Sequence, residues 1–195
     1  MAAATQLSPH DSTTLALLFD PEASPSTNLT PISAELPPDP HFPPETLAAL
    51  ADTERRAITL ADSAPQDALA LLDALLRSHP QYASAYNNRA QLRRLLSLPP
   101  AAVRADLEQA VALARPRARL APVSALQARV LSNAYTQLGA LLLREGKEDE
   151  AGAAFQEAAR YGGEVARTMA VKLNPLARLC GAIVKEAMRK EMSVG

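Results

Sequence analysis

The sequence predicts an all-α chain: three helical hairpins stacked into a solenoid, with a C-terminal helix capping the last. Three observations carry this. Residues 132–161 read SNAYTQLGALLLREGKEDEAGAAFQEAARY and place Tyr135, Leu138, Gly139, Gly146, Ala151, Phe155 and Ala158 at the offsets of two closely crossing helices. Weaker copies of the same pattern lie upstream. The composition agrees, since 48% hydrophobic residues, no Trp and only 4% aromatics suit close helix packing better than a β-sandwich.

The spacing matches the tetratricopeptide repeat (TPR), a pattern of about 34 residues. Gly139 and Ala151 are small where the two helices approach, and Tyr135, Leu138 and Phe155 fill the space beside them. In the middle copy Tyr86, Ala90, Leu107 and Ala110 match, with Val103 at the usual alanine position and one extra residue in the turn at residues 97–100. In the first copy Ala68, Leu72, Leu75 and Pro80 match, while the helix over residues 52–60 has lost the large aromatic and the glycine. Terminal repeats are often atypical because they pack on one side only. Three repeats are about the minimum for an independently stable array.

The elements follow in order. Residues 1–44 form an acidic, Pro-rich arm. A short amphipathic helix is expected near residues 11–20, with Leu15, Leu18 and Phe19 on one side and Pro21 as its stop. Eight prolines between residues 21 and 44 forbid a regular helix and predict an extended, partly disordered linker. Residues 45–174 hold the three repeats. Ser63 with Gln66 reads as a capping box opening a helix that ends near Ser78. Helices are expected over 82–96, over 100–114 with Pro100 in the first turn, and over 122–145 closed by Gly146. Two more cover 148–161 and 164–173. In residues 175–195 the stripe Leu176, Leu179, Cys180, Ile183, Val184 and Ala187 predicts a capping helix whose apolar face covers the last repeat, with Cys180 buried.

Charge is unevenly divided. The arm carries Asp11, Asp20, Glu22, Glu35 and Asp39 and no Lys or Arg, hence -5. The rest holds all 20 basic residues and the other 16 acidic ones, hence +4. The arm reads either as a solubilising tail or as a segment that docks back on the repeats or recruits a partner. The longest apolar runs are far too short for a membrane span, and the first nine residues do not read as a leader. One cysteine fits a reducing compartment, which places the protein in the cytoplasm and leaves the nucleus open.

Nothing in the inventory predicts catalysis or a cofactor. His10, His41 and His79 are scattered, no His–Cys cluster has metal-ligand spacing, and no nucleophile has an identifiable base. The run Arg115-Pro116-Arg117-Ala118-Arg119 lacks interleaved aromatics, so it reads as a solvated loop rather than a nucleic-acid contact. The candidate site is the concave groove, lined by the first helix of each repeat. Asn87, Asn88, Gln91 and Arg94 come from the second repeat, and Asn133, Thr136, Gln137, Ala140 and Arg144 from the third. This surface is built for hydrogen bonds to a peptide backbone or carboxylates, although some of its amides can instead serve the helices themselves. The expected role is a monomeric protein-interaction scaffold.

From residue 83 the chain reads ASAYNNRAQ, followed by Arg93-Arg94-Leu95, and here it resembles the tetratricopeptide repeat protein 36 family. Leu18-Phe19-Asp20-Pro21, Asp106-Leu107-Glu108 with Ala110-Val111, and Leu173-Asn174-Pro175-Leu176-Ala177 with Leu179-Cys180 agree as well. The first-repeat helix and the Pro-rich linker match poorly, and residues 118–131 look longer than the family usually has. The resemblance implies a non-enzymatic adaptor that binds heat-shock chaperones, or alternatively a dedicated partner that stabilises a metabolic enzyme, with a link to tyrosine metabolism. Chaperone-binding TPR domains often grip a C-terminal dicarboxylate with two Lys, two Asn and a further basic residue. Only Asn88 falls on such a position here. Thr53, Ala57, Asn133 and Gln137 occupy the others. Without those positive charges the groove should hold an acidic C-terminus poorly, so a chaperone contact would use another surface.

Overall fold

A computed structural model describes residues 29–119 and 121–192 of the chain. Eight helices follow one another among them: α1 Pro44–Leu60, α2 Pro65–Ser78, α3 Ala83–Leu95, α4 Pro100–Ala114, α5 Ala125–Arg144, α6 Glu148–Arg160, α7 Glu164–Leu173 and α8 Pro175–Met192. Three hairpins, α1–α2, α3–α4 and α5–α6, stack in sequence, and each helix packs on the next. The only β-type pairing among the described residues is an isolated bridge between Ile32 and Val123. The helix expected at residues 11–20 and the linker up to residue 28 lie outside the described residues.

The hairpins close around small residues. A Cβ on Gly139 would sit 2.9 Å from Cζ of Phe155, so the ring occupies the space that a side chain would need. Ala151 and Ala158 are completely buried beside it. One apolar cluster runs through α3 to α7 around Leu107, Leu131 and Phe155, and a second joins α1, α2 and α3 around Leu72 and Tyr82. Tyr86 packs against both, which makes the core continuous. Burying each such leucine contributes about 1.5–3 kcal/mol.

Ionic contacts tie the first repeat to the second. Arg89 of α3 reaches Asp106 of α4 at 2.6 Å and Asp73 of α2 at 2.8 Å, and Arg93 adds a contact to Asp106 at 2.9 Å. The Arg89 guanidinium also lies 5.3 Å from the Tyr86 ring centroid. Asp106 is buried, and this network supplies the partners that a buried carboxylate needs. In the turn after α3, Ser97 adopts φ 55°, and the Leu98 N–H donates to the Arg93 carbonyl. The extra residue of this turn is absorbed in a left-handed position normally given to glycine.

Three expectations need correction. The capping box at Ser63 does not form: α2 begins at Pro65 with Ala64 as its uncapped N-cap. A residue before proline is pushed out of the helical region, so Ala64 cannot be the first helical residue. The capping box is instead at α5, where Ser124 accepts from the Gln127 N–H and the Gln127 side chain accepts from the Ser124 N–H.

The second correction concerns the Pro-rich linker, whose described part is an ordered strap. The Thr30 N–H donates to the Arg160 carbonyl at 2.9 Å. Pro31 and Ser33 pair with Val123, and the Ser124 hydroxyl donates to the Pro38 carbonyl at 2.6 Å. His41 Nε2 lies 3.2 Å from the Leu113 carbonyl, and Phe42 meets His79 and Tyr82 edge-on. The strap thus runs along one edge of the array, from the third repeat back to the first. It supplies donors to last-turn carbonyls of α4 and α6, which helices leave unpaired.

The third concerns the C-terminus. The expected helix forms as α8, but the described residues of its stripe are not covered. Leu176 is 71% exposed and Ile183 59%, and Leu179, Val184 and Cys180 are exposed with them. The apolar end of the third repeat is covered one helix earlier, by Ala166, Met169, Ala170 and Leu173 of α7. Cys180 is therefore no buried packing residue. α7 ends the stack; α8 touches α7 but turns the exposed residues of its stripe to no element among the described residues.

Candidate functional site

The groove residues fall into two groups. Asn87 is buried, and its Oδ1 accepts from Gln137 Nε2 at 2.8 Å, joining α3 to α5. The Asn88 amide donates to Glu54 Oε1 at 2.6 Å, joining α3 to α1. Glu54, itself buried, also accepts from the Tyr82 hydroxyl at 2.8 Å. Burial, and then the neighbouring Glu54 carboxylate, push the Tyr82 phenol well above its usual range. These amides hold neighbouring repeats together. Gln91, Arg94, Asn133 and Arg144 remain exposed along the same helices and are the part of the expected site open to a partner. Thr136 spends its hydroxyl on the Ser132 carbonyl, and Ala140 is exposed.

An apolar feature that the sequence did not reveal lies beside them. A notch of about 100 Å³ opens between α1 and α3, with Ile58 and Leu95 on its rim next to Asn88 and Gln91. Both rim residues are more than half exposed. One face of the array therefore offers an apolar seat at the first repeat and polar side chains further along.

The positions expected for a carboxylate clamp are also visible. Ala57 is buried, Asn88 is engaged by Glu54, Gln137 is engaged by Asn87, and Thr53 and Asn133 are neutral. No lysine stands among them.

A larger concavity opens elsewhere. The arginine-rich loop after α4, read from the sequence as solvated, rims a cleft of about 690 Å³ between α4 and α6. Its floor comes from Tyr135, Leu138 and Leu142, on a different face of α5 from Asn133, Gln137 and Arg144, and from Tyr161. The Tyr135 and Tyr161 rings stack at 6.4 Å with 3° between planes. Arg115 donates to the Tyr135 hydroxyl at 3.1 Å, and Arg119 pairs with Glu157 at 2.8 Å. Three arginines in five residues were the signal for this cleft. What the sequence did not show was the stacking of two tyrosines 26 positions apart that turns a loop into a wall.

No family model matches the chain. Individual relatives match along nearly all of it. The chain is 37% identical over 187 residues to tetratricopeptide repeat protein 36 of Danio rerio, covering 94% of each. This chain belongs to the tetratricopeptide repeat protein 36 family. It is likewise 32% identical over 184 residues to the family's Drosophila melanogaster homolog. It is also 33% identical over 240 residues to the L-tyrosine degradation gene cluster protein hmgX of Aspergillus fumigatus, covering 95% of this chain and 93% of that one.

Placed in the structure, the residues that carry the family resemblance build the scaffold. Arg89, Arg93 and Asp106 form the ionic tie between repeats. Asn174 accepts from the Leu176 N–H at 2.9 Å and so starts α8. The stretch at residues 118–131, which looks long for the family, contributes to the cleft loop and the first turns of α5. The family is one of helical-repeat proteins, a fold class that binds proteins. No helix among the described residues is long and apolar enough to cross a membrane, and no cluster of potential metal ligands occurs among them.

Proposed function

We propose that this protein is a non-enzymatic scaffold that holds another protein on the groove face of α1, α3 and α5. The carrying observation is the composition of that face: an open apolar notch at Ile58 and Leu95, followed by the exposed side chains of Gln91, Arg94, Asn133 and Arg144. An apolar anchor next to sequence-tolerant hydrogen-bonding groups is how a repeat array grips a folded partner's loop or helix.

The partner we propose is an enzyme of tyrosine degradation, which the protein stabilises or positions. The relative named for an L-tyrosine degradation gene cluster, similar along nearly the full length of both chains, supports this choice. The chaperone-adaptor reading rests on the family resemblance. The neutral, internally engaged clamp positions argue against a carboxylate grip on a chaperone's C-terminus, because an uncompensated carboxylate pays its desolvation without a cation. A cytoplasmic setting accompanies both readings.

The test is direct binding of the full chain to purified tyrosine-degrading enzymes and, in parallel, to acidic chaperone C-terminal peptides. Binding to one enzyme, weakened by Leu95→Asp and by Asn133→Lys, supports the proposal. Tight binding of the peptides instead would support the chaperone reading.

A further inference from the structure

The arginine-rimmed cleft takes no part in the function proposed above, yet it is a built concavity with a defined chemistry. Its size lies within the range of about 300–1,000 Å³ typical of ligand pockets. Its floor is aromatic and aliphatic and includes the stacked Tyr135 and Tyr161, each of which keeps only an edge exposed. On the loop side Arg119 pairs with Glu157, a carboxylate that Arg160 shares; Arg115 donates to the Tyr135 phenol and also feels the Glu157 charge, and Arg117 makes no hydrogen bond or ion pair among the described residues. Glu108 and Glu150 stand on the walls formed by α4 and α6. Such a site fits a short segment that pairs a large apolar side chain with neighbouring carboxylates, seated with its acids toward the loop.

The strap brings a segment of that kind to the cleft. It runs from the third repeat back to the first, so the chain before residue 29 leaves at the third repeat, where Thr30 is buried and bonded to the Arg160 carbonyl. Arg160 is the neighbour in sequence of Tyr161 on the cleft floor, and its guanidinium donates to the Arg119 carbonyl on the rim. Residues 15–22 read LALLFDPE: Leu15, Leu18 and Phe19, then Asp20 and Glu22, with no Lys or Arg anywhere from 1 to 28. Phe19 and Leu29 are ten positions apart, a reach of up to about 33 Å. The cleft begins next to the anchor, so the tether is ample.

We propose that the cleft between α4 and α6 is a docking site for the chain's own residues 15–22, with Phe19 on the Tyr135–Tyr161 floor and Asp20 and Glu22 facing Arg115 and Arg117. The apolar contact supplies most of the affinity, and the charges fix the direction of entry. A tether this short gives an effective concentration of about 1 mM, so even an intrinsic Kd of about 0.1 mM would leave the cleft roughly 90% filled. The arm is then a built-in occupant, and a partner bearing the same apolar–acidic signature would have to displace it.

The chain has no tryptophan, so Phe19→Trp provides a single reporter in the full-length protein. The expected result is an indole shielded from acrylamide, with a quenching constant severalfold below that of free indole and independent of protein concentration. Arg117→Glu should expose it, and adding Asp20→Arg to that variant should shield it again. Ala153→Arg, at an exposed position of the lining, should expose it by filling the cleft. Unchanged circular dichroism in these variants excludes unfolding as the cause. An indole that is quenched freely overturns the proposal. So does one that is shielded but indifferent to both cleft substitutions, which would place the arm on the exposed stripe of α8, or one shielded only at high concentration, which would place it on a second copy.

Discussion

Gly139→Ala tests how closely the third hairpin packs. A helix-interior glycine normally costs about 0.5–1 kcal/mol relative to alanine, so propensity alone predicts stabilisation of that size. The structure predicts the opposite sign. The new methyl would lie 2.9–3.0 Å from three atoms of the Phe155 ring, and that ring is 2% exposed with Ala151 and Ala158 buried around it. Overpacking of this kind costs about 1–3 kcal/mol. The net expectation is a loss of about 1 kcal/mol, which lowers Tm by about 2–4 °C in a domain of this size. Urea unfolding followed by far-UV circular dichroism measures it. Phe155→Leu should reduce the penalty of the alanine, giving a coupling of at least about 0.5 kcal/mol in the double-mutant cycle. A stabilised Gly139→Ala protein, or additive effects of the two substitutions, would refute the close crossing.

Other outcomes follow from single contacts. Leu179→Ala on the exposed stripe of α8 should change stability by no more than about 0.5 kcal/mol, whereas Leu131→Ala in the core should cost about 2–5 kcal/mol; equal losses would mean that α8 is docked. Arg89→Met leaves the buried Asp106 with Arg93 alone and should cost about 3 kcal/mol, less when combined with Asp106→Leu. Burial raises the Asp39 carboxyl above its ordinary pKa of 3.8 despite the opposing His41 N–H bond. The folded state therefore binds this proton more tightly than the unfolded chain does, and that contribution is lost as pH rises from the ordinary value through the raised one. Asp39→Asn keeps an acceptor for His41 and should flatten the pH–stability curve in that window while gaining stability at neutral pH, as chemical unfolding across pH would show.

Most of the helical frame was legible because it rests on local signals. Prolines at positions 100 and 175 set helix starts that sit at the first turn regardless of context, and Gly139 opposite Phe155 carries the crossing in its spacing. The strap was not legible. Its partners are backbone atoms at helix ends and loops, such as the carbonyls of Leu113 and Arg160, which no side-chain pattern advertises, and proline-rich chain looks the same whether docked or free. The stripe on α8 was visible but ambiguous, since amphipathicity says that a face suits an apolar neighbour and not which neighbour is within reach. In the groove, Asn87, Asn88 and Gln137 had the right chemistry for a partner, but their helices bring them close enough to bond Glu54 and each other first. The cleft needed Tyr135 of α5 and Tyr161 at the end of α6 to be stacked onto one floor, a tertiary fact.

The measurement that bears most directly on the proposed function sets the two partner classes side by side. The full-length chain is titrated calorimetrically with each purified enzyme of tyrosine degradation and, under the same conditions, with acidic chaperone C-terminal peptides. The account predicts saturable binding to one enzyme, weakened about tenfold or more by Leu95→Asp at the notch, which is a loss of about 1.4 kcal/mol. It predicts no saturation with the peptides up to about 1 mM, corresponding to less than about 4 kcal/mol of binding free energy. Micromolar peptide binding, with no enzyme bound and Leu95→Asp without effect, would contradict it.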